Sequence, residues 1–192
     1  MIGLEAGTGV THLSIALCSY CASKLGKRTA YLELHARNEI SSVCPKTERS
    51  DDSASVSSRF RLHGVDYYSN MDSRTIPSLL NQGYDYLIFD SGSFTETDLS
   101  EFLRCDRKLI LGSLAPWKSE KIQEFFYLLE SNHIQLGESS YYLMQTGNKR
   151  DLLNFSKSHH IPVQHVQAVP FIKNPFCIEK EQFPFLQDLL TG

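Results

Sequence analysis

Apolar and β-branched positions fall into short runs at residues 29–35, 65–69, 86–90, 108–112, 141–145 and 164–169, each the length of a buried strand. Between these runs the apolar positions take helical spacing, over 11–25, 73–82, 95–104, 118–132, 149–158 and 179–190. Strand and helix therefore alternate. Parallel neighbours need the long crossover that a helix supplies, so this order predicts an α/β domain with a doubly wound, mostly parallel sheet and helices on both faces, three layers in all. Gly26 stands just past the first helix with Lys27 and Arg28 behind it, a helix stop with cations at the negative end of the dipole. Gly83 and Gly137 repeat the device.

Residues 41–58 hold seven serines and few apolar anchors, which reads as a mobile polar loop. No repeat and no shift of composition marks a boundary, so residues 1–192 are read as one domain. The Gly-rich stretch at 3–11 should follow a strand, yet only Met1 and Ile2 precede it. The first strand is thus expected to be truncated, and the native chain to begin upstream of Met1; peptide mass mapping of the native protein decides this.

Composition narrows the classes. The chain is 41% hydrophobic and 21% charged, with a mean hydropathy of −0.26 and no apolar run of the roughly 18–20 residues that a bilayer demands. That excludes a spanning helix and reads as a soluble protein. A formal charge of −3 lacks the cationic excess that drives phosphate-backbone binding, so nucleic acid is not the expected partner. The N-terminal residues carry no secretory pattern, and the five cysteines are read as reduced thiols in a cytoplasmic protein.

The chemistry concentrates at Gly3–Thr11. A Gly-rich turn running into a helix presents free N–H groups and the positive end of a helix dipole, which is a cradle for an anion. A strand-to-helix corner that needs positive φ is the plainer reading. Asp90 ends a strand, either as a metal-holding carboxylate or as an ordinary polar strand end, since Ser91-Gly92-Ser93 is turn chemistry by itself.

Three segments carry a resemblance: GTGVTHLSIALCSYCASKLGKRTAYLEL, YDYLIFDSGS and the late VPFIKNP. On these the chain resembles the ParA/MinD branch of P-loop NTPases, including pilus-assembly proteins of the TadZ/CpaE type. The resemblance implies binding of ATP or ADP with Mg²⁺ through Ala6, Gly7, Thr8, Gly9, Val10, Thr11 and His12, with the metal held by Thr11 and Asp90. It also implies a homodimer and protein partners. Aligned on the pattern K-G-G-x-G-K-T-T, Glu5 stands at the signature lysine and Val10 at the phosphate-clamping lysine. The family's D-x-D reads Glu33-Leu34-His35. Two lost charged hydrogen bonds, at about 1.5–3 kcal/mol each, weaken triphosphate binding by about two to four powers of ten. Phosphoryl transfer, which depends on electrostatic stabilisation, suffers more.

The expected protein is thus a degenerate member of that group, a non-hydrolysing, nucleotide-responsive or purely structural scaffold that binds partner proteins. A slow Mg²⁺-dependent ATPase that borrows charge from His12, His35, Arg37 or a partner chain is the alternative, and another anionic ligand is a third. Cys18 and Cys21, mid-helix, read as packing residues rather than a redox or metal pair. His159-His160 reads as cations at a helix end. His35 reads either as a satisfied polar residue at the strand mouth or as a replacement contact. Trp117 suits a protein interface or a rim position over the sheet edge. The last helix contains Pro184 and lacks the basic face of a membrane-surface helix, and no arginine cluster suggests sliding on DNA.

Overall fold

The computed structural model describes residues 1–44, 59–146 and 148–191. Most of the expected polar loop, residues 45–58, lies outside these; its start forms a short 3₁₀ turn over Ile40–Val43. Eight strands occur among the described residues: β1 Ile2–Gly3, β2 Thr29–Glu33, β3 Arg59–Leu62, β4 Val65–Tyr68, β5 Tyr86–Asp90, β6 Lys108–Ser113, β7 Ser140–Gln145 and β8 Val166–Ala168. The helices are α1 Val10–Ser23, α2 Ile76–Leu80, α3 Ser100–Arg104, α4 Ser119–Ser131, α5 Lys149–Ser158 and α6 Phe183–Thr191.

Hydrogen bonding orders the strands β3-β4-β2-β5 on one side and β1-β6-β7-β8 on the other. The two halves meet at β1: Gly3 pairs in parallel with Ser93, its N–H donates to Gly92 O at 2.7 Å, and Phe94 N–H returns to Gly3 O at 3.0 Å. The truncated strand of the sequence reading is therefore two residues long and central. Every other pairing is parallel except β3 with β4. Below Gly3 the seam is held further by Ser91 N–H, which donates to Met1 O at 3.0 Å. The Met1 ammonium donates to Phe89 O at 2.5 Å inside the sheet layer, and burial lowers its pKa. Beside it lies a cleft of about 540 Å³ lined by Met1, Ile76, Tyr86 and Leu109 among others.

Strand alternation sorts the core into two faces. Tyr31, Leu109, Leu111, Tyr141 and Leu143 meet α1 and α6, while Ile110, Tyr142 and Met144 meet Phe102, Ile122, Phe125 and Phe155 of α3 to α5. Because α1 is covered by both the sheet and α6, it is apolar almost all round, with Leu13 to Cys21 buried. The apolar face of α6 is spent on α1: Leu186 and Leu189 are buried, and Tyr20 donates to Gln187 at 2.8 Å. No helix is long and apolar enough to cross a membrane among the described residues.

Several expected bounds change. The helix expected over 73–82 shrinks to α2, after a turn capped by Asp72, and that over 95–104 to α3, whose start is marked by Asp98 accepting from Ser100 N–H at 2.9 Å. The strand expected over 29–35 ends at Glu33, which releases Leu34 and His35 into a loop. The pair β3 and β4 forms a hairpin on His63-Gly64, both at positive φ, and the sequence reading missed β3. Charged Arg59 and Arg61 face outward there, as an edge strand requires.

Candidate functional site

In an open α/β sheet, ligands gather outside the carboxyl ends of the strands where the order reverses. The carboxyl end of β1 is that place here. The chain leaves β1 through Glu5 and enters α1 at Gly9, which caps the helix in the left-handed region at φ 83°. Gly7 also has positive φ, at 79°. The first intrahelical bond runs from Leu13 N–H to Gly9 O at 2.9 Å, so the amides at the start of α1 face the turn rather than the helix. Thr8 pins the turn by donating to Glu5 O at 3.0 Å, and Gln145 at the end of β7 donates to Thr8 O at 3.0 Å.

The result is a cavity of about 340 Å³ whose walls include Ala6, Gly7, Thr8, Gly9, Val10, Thr11 and His12. The seven residues expected to bind nucleotide are thus brought together. Arg37, Glu39 and Pro175 close the other side. His12 Nε2 contacts Ile172 O at 2.8 Å, which ties the helix start to the segment VPFIKNP.

The two expected metal ligands are not presented as a free pair. Thr11 donates its hydroxyl to Glu39 at 3.1 Å. Asp90 is fully buried and accepts from Tyr31 O–H at 2.6 Å and from Gly92 N–H at 3.0 Å. Burial pushes the Asp90 carboxyl up, but bonding to His35, with Thr11 and Tyr31 beside it, outweighs this and holds it below the usual range. The amide half of the site fits a phosphate; the donors that would fit Mg²⁺ are already engaged within the protein.

His35 sits between two buried carboxylates, its Nε2 3.4 Å from Asp90 Oδ1 and 3.9 Å from Glu33 Oε1. Glu33 in turn accepts from Glu39 N–H at 2.6 Å and Ile40 N–H at 3.3 Å, folding the loop after β2 back over the cavity. Burial raises the Glu33 carboxyl despite these bonds. Burial alone pulls the His35 imidazole down, but Asp90, Glu33 and Glu39 together raise it above its ordinary value. A base raised on folding stabilises fully below the unfolded value, about 6.5, and loses that contribution as pH rises through the folded one. The unfolding midpoint is therefore expected to fall as pH is raised from 6 through that window, measured by thermal melts. A His35→Gln protein with the same downward slope there rejects this assignment.

The sequence named Arg37 but missed Glu39 and Lys118. Arg37 is held by Glu96 and lies 3.5 Å from Glu39. Lys118 crosses from the turn before α4 to bond the Glu5 carboxylate. No spacing signal announces contacts across 28 and 113 residues. Trp117, beside Lys118, is 80% exposed and does not cover the sheet edge. Cys18 and Cys21 are buried free thiols, and burial raises both, Cys21 to about 12. His159 stands at the helix end as expected, as the C-cap of α5; it stacks on Phe126 at 4.1 Å, and burial lowers its pKa.

A doubly wound α/β sheet with an anion-type turn at its central switch defines the class. No protein-family profile matches the sequence, and no curated protein matches it either. Solved structures do. A plasmid partition protein from Borrelia burgdorferi bound to AMPPNP aligns over 98% of this chain and 94% of its own, with a TM-score of 0.66 and 13% identity. A ParA family ATPase from Chlorobium tepidum aligns over 100% and 88%, with a TM-score of 0.64 and 10% identity. The MinD cell division protein of Aquifex aeolicus aligns over 98% and 84%, with a TM-score of 0.59 and 14% identity. The chain has the fold of the ParA/MinD-type P-loop ATPases.

Proposed function

We propose that this protein is a ParA/MinD-fold scaffold that takes up nucleotide weakly, does not hydrolyse it, and acts by binding other proteins and a second copy of itself. The observation that carries this reading is the charge at the cradle. Glu5 and Val10 stand where the resembled family has lysines; Glu5 brings a carboxylate, and Val10 is buried in the core. Neither can stabilise the negative charge that spreads in phosphoryl transfer. The exposed Trp117, next in sequence to Lys118, suits a protein contact.

The slow-ATPase reading draws its support from His12 and Arg37, two basic residues already in the cavity wall. Calorimetric titration with ATP and ADP, each with and without Mg²⁺, separates the two when run beside a phosphate-release assay. The scaffold reading expects nucleotide to bind about two to four powers of ten more weakly than at a site with both lysines, with no gain from Mg²⁺ and no turnover. Turnover that requires Mg²⁺ and vanishes in Thr11→Ala establishes the enzyme instead.

A further inference from the structure

Among the described residues, the basic side chains Arg37, His12 and Lys118 at the cradle are each engaged. Arg37 is shared by Glu39 and Glu96, His12 meets a carbonyl, and Lys118 meets Glu5. The last pair differs from the others in its placement. Glu5 belongs to the Gly-rich turn itself and lines the cavity, whereas Lys118 comes from the segment after β6, at the end of the short turn Pro116–Lys118. The Glu5 side chain is only 18% exposed, so its carboxylate is held in the cradle wall rather than extended into water. A carboxylate presents to an ammonium the same anionic oxygens that a phosphate does, at the same hydrogen-bonding distance.

We propose that Glu5 is a built-in stand-in for the ligand, and that Lys118 is the cation this site lends to a bound phosphate group. With the cradle empty, Lys118 is neutralised by Glu5. A polyphosphate that settles on the amides at the start of α1 competes for Lys118, and Glu5 is displaced. The ion pair is then a latch that sets how much phosphate charge is needed to occupy the site, favouring triphosphates over singly charged anions. This inference rests on the reading that the cradle takes phosphate groups.

The test is a double-mutant cycle. ATP and inorganic triphosphate are titrated into the full chain and its Glu5→Gln, Lys118→Met and doubly substituted forms, each checked for native circular dichroism. Freed from its partner, Lys118 is available to the ligand, so Glu5→Gln is expected to tighten both ligands about tenfold. The decisive quantity is the coupling: Lys118→Met should cost about tenfold more affinity in the Glu5→Gln background than in the wild type. Equal costs in the two backgrounds overturn the latch and leave the phosphate cradle standing, with Glu5 acting by simple repulsion. Absence of binding in all four proteins up to millimolar ligand overturns both.

Discussion

Replacing Asp90 by alanine is expected to cost about 3–5 kcal/mol of unfolding free energy, because it removes one side of a buried charged network and strands the other. Tyr31 O–H loses its acceptor, Gly92 N–H loses the bond that fixes the turn after β5, and His35 loses the nearer of its two carboxylates. All of these groups lie in the interior, where water cannot replace what is lost. Asp90→Asn keeps an acceptor for Tyr31 but not the charge, so it should recover part of the stability and flatten the pH dependence ascribed to His35. Urea denaturation of the two variants measures both effects. An alanine variant within about 1 kcal/mol of the wild type removes the network from any account of this fold. The same expectation means that a loss of self-association in Asp90→Ala speaks first of unfolding, and Thr11→Ala is the cleaner probe of a nucleotide role.

The second large effect is expected at Gly3. A Cβ at this position would lie 2.3 Å from Thr8 Oγ1 and 2.9 Å from Glu5 O, with a Val10 methyl at 3.0 Å. The Thr8 side chain is buried and pinned by its bond to Glu5, and Glu5 O belongs to the backbone of the turn, so neither yields freely. Gly3 also carries, with Met1, the backbone bonds that join the two halves of the sheet. Gly3→Ala should therefore destabilise the protein by about 1–3 kcal/mol and loosen the cradle together with the seam. Gly137→Ala is the control, since its Cβ meets nothing within 4 Å and only the φ of 73° opposes it. If Gly3→Ala melts with the wild type, the close packing of the turn against β1 contributes nothing.

Much of the fold was legible because periodicity is a local property. The alternation of 2.0 and 3.6 spacing located β4 to β8 and α1, α4, α5 and α6 to within a few residues, and α5 in full at Lys149–Ser158. In the structure its start is capped by Asn148, whose side chain accepts from Arg150 N–H. The failures have local causes too. Nothing in Ser93 and Phe94 signals that they will be captured by Gly3, and the start of α3 was drawn several residues early because Asp98, which accepts from Ser100 N–H, was not read as marking it. Strand β3 escaped because the polar stretch before it hid its entry, and because His63-Gly64 is a weak hairpin signal.

The site divides along the same line. The sequence by itself determined the glycine turn, because residues that must take positive φ before a helix are written consecutively, and it determined that residues 3–11, Glu5 and Val10 among them, hold no lysine or arginine. Only the tertiary structure decided what those positions do. It joined Glu5 to Lys118, closed Thr11 onto Glu39, and set His35 between Glu33 and Asp90. Charge acts through space, falling with distance and strengthened by burial, so pairings between residues far apart in the chain exist only once the sheet has brought the ends of β1, β2, β5 and β6 together.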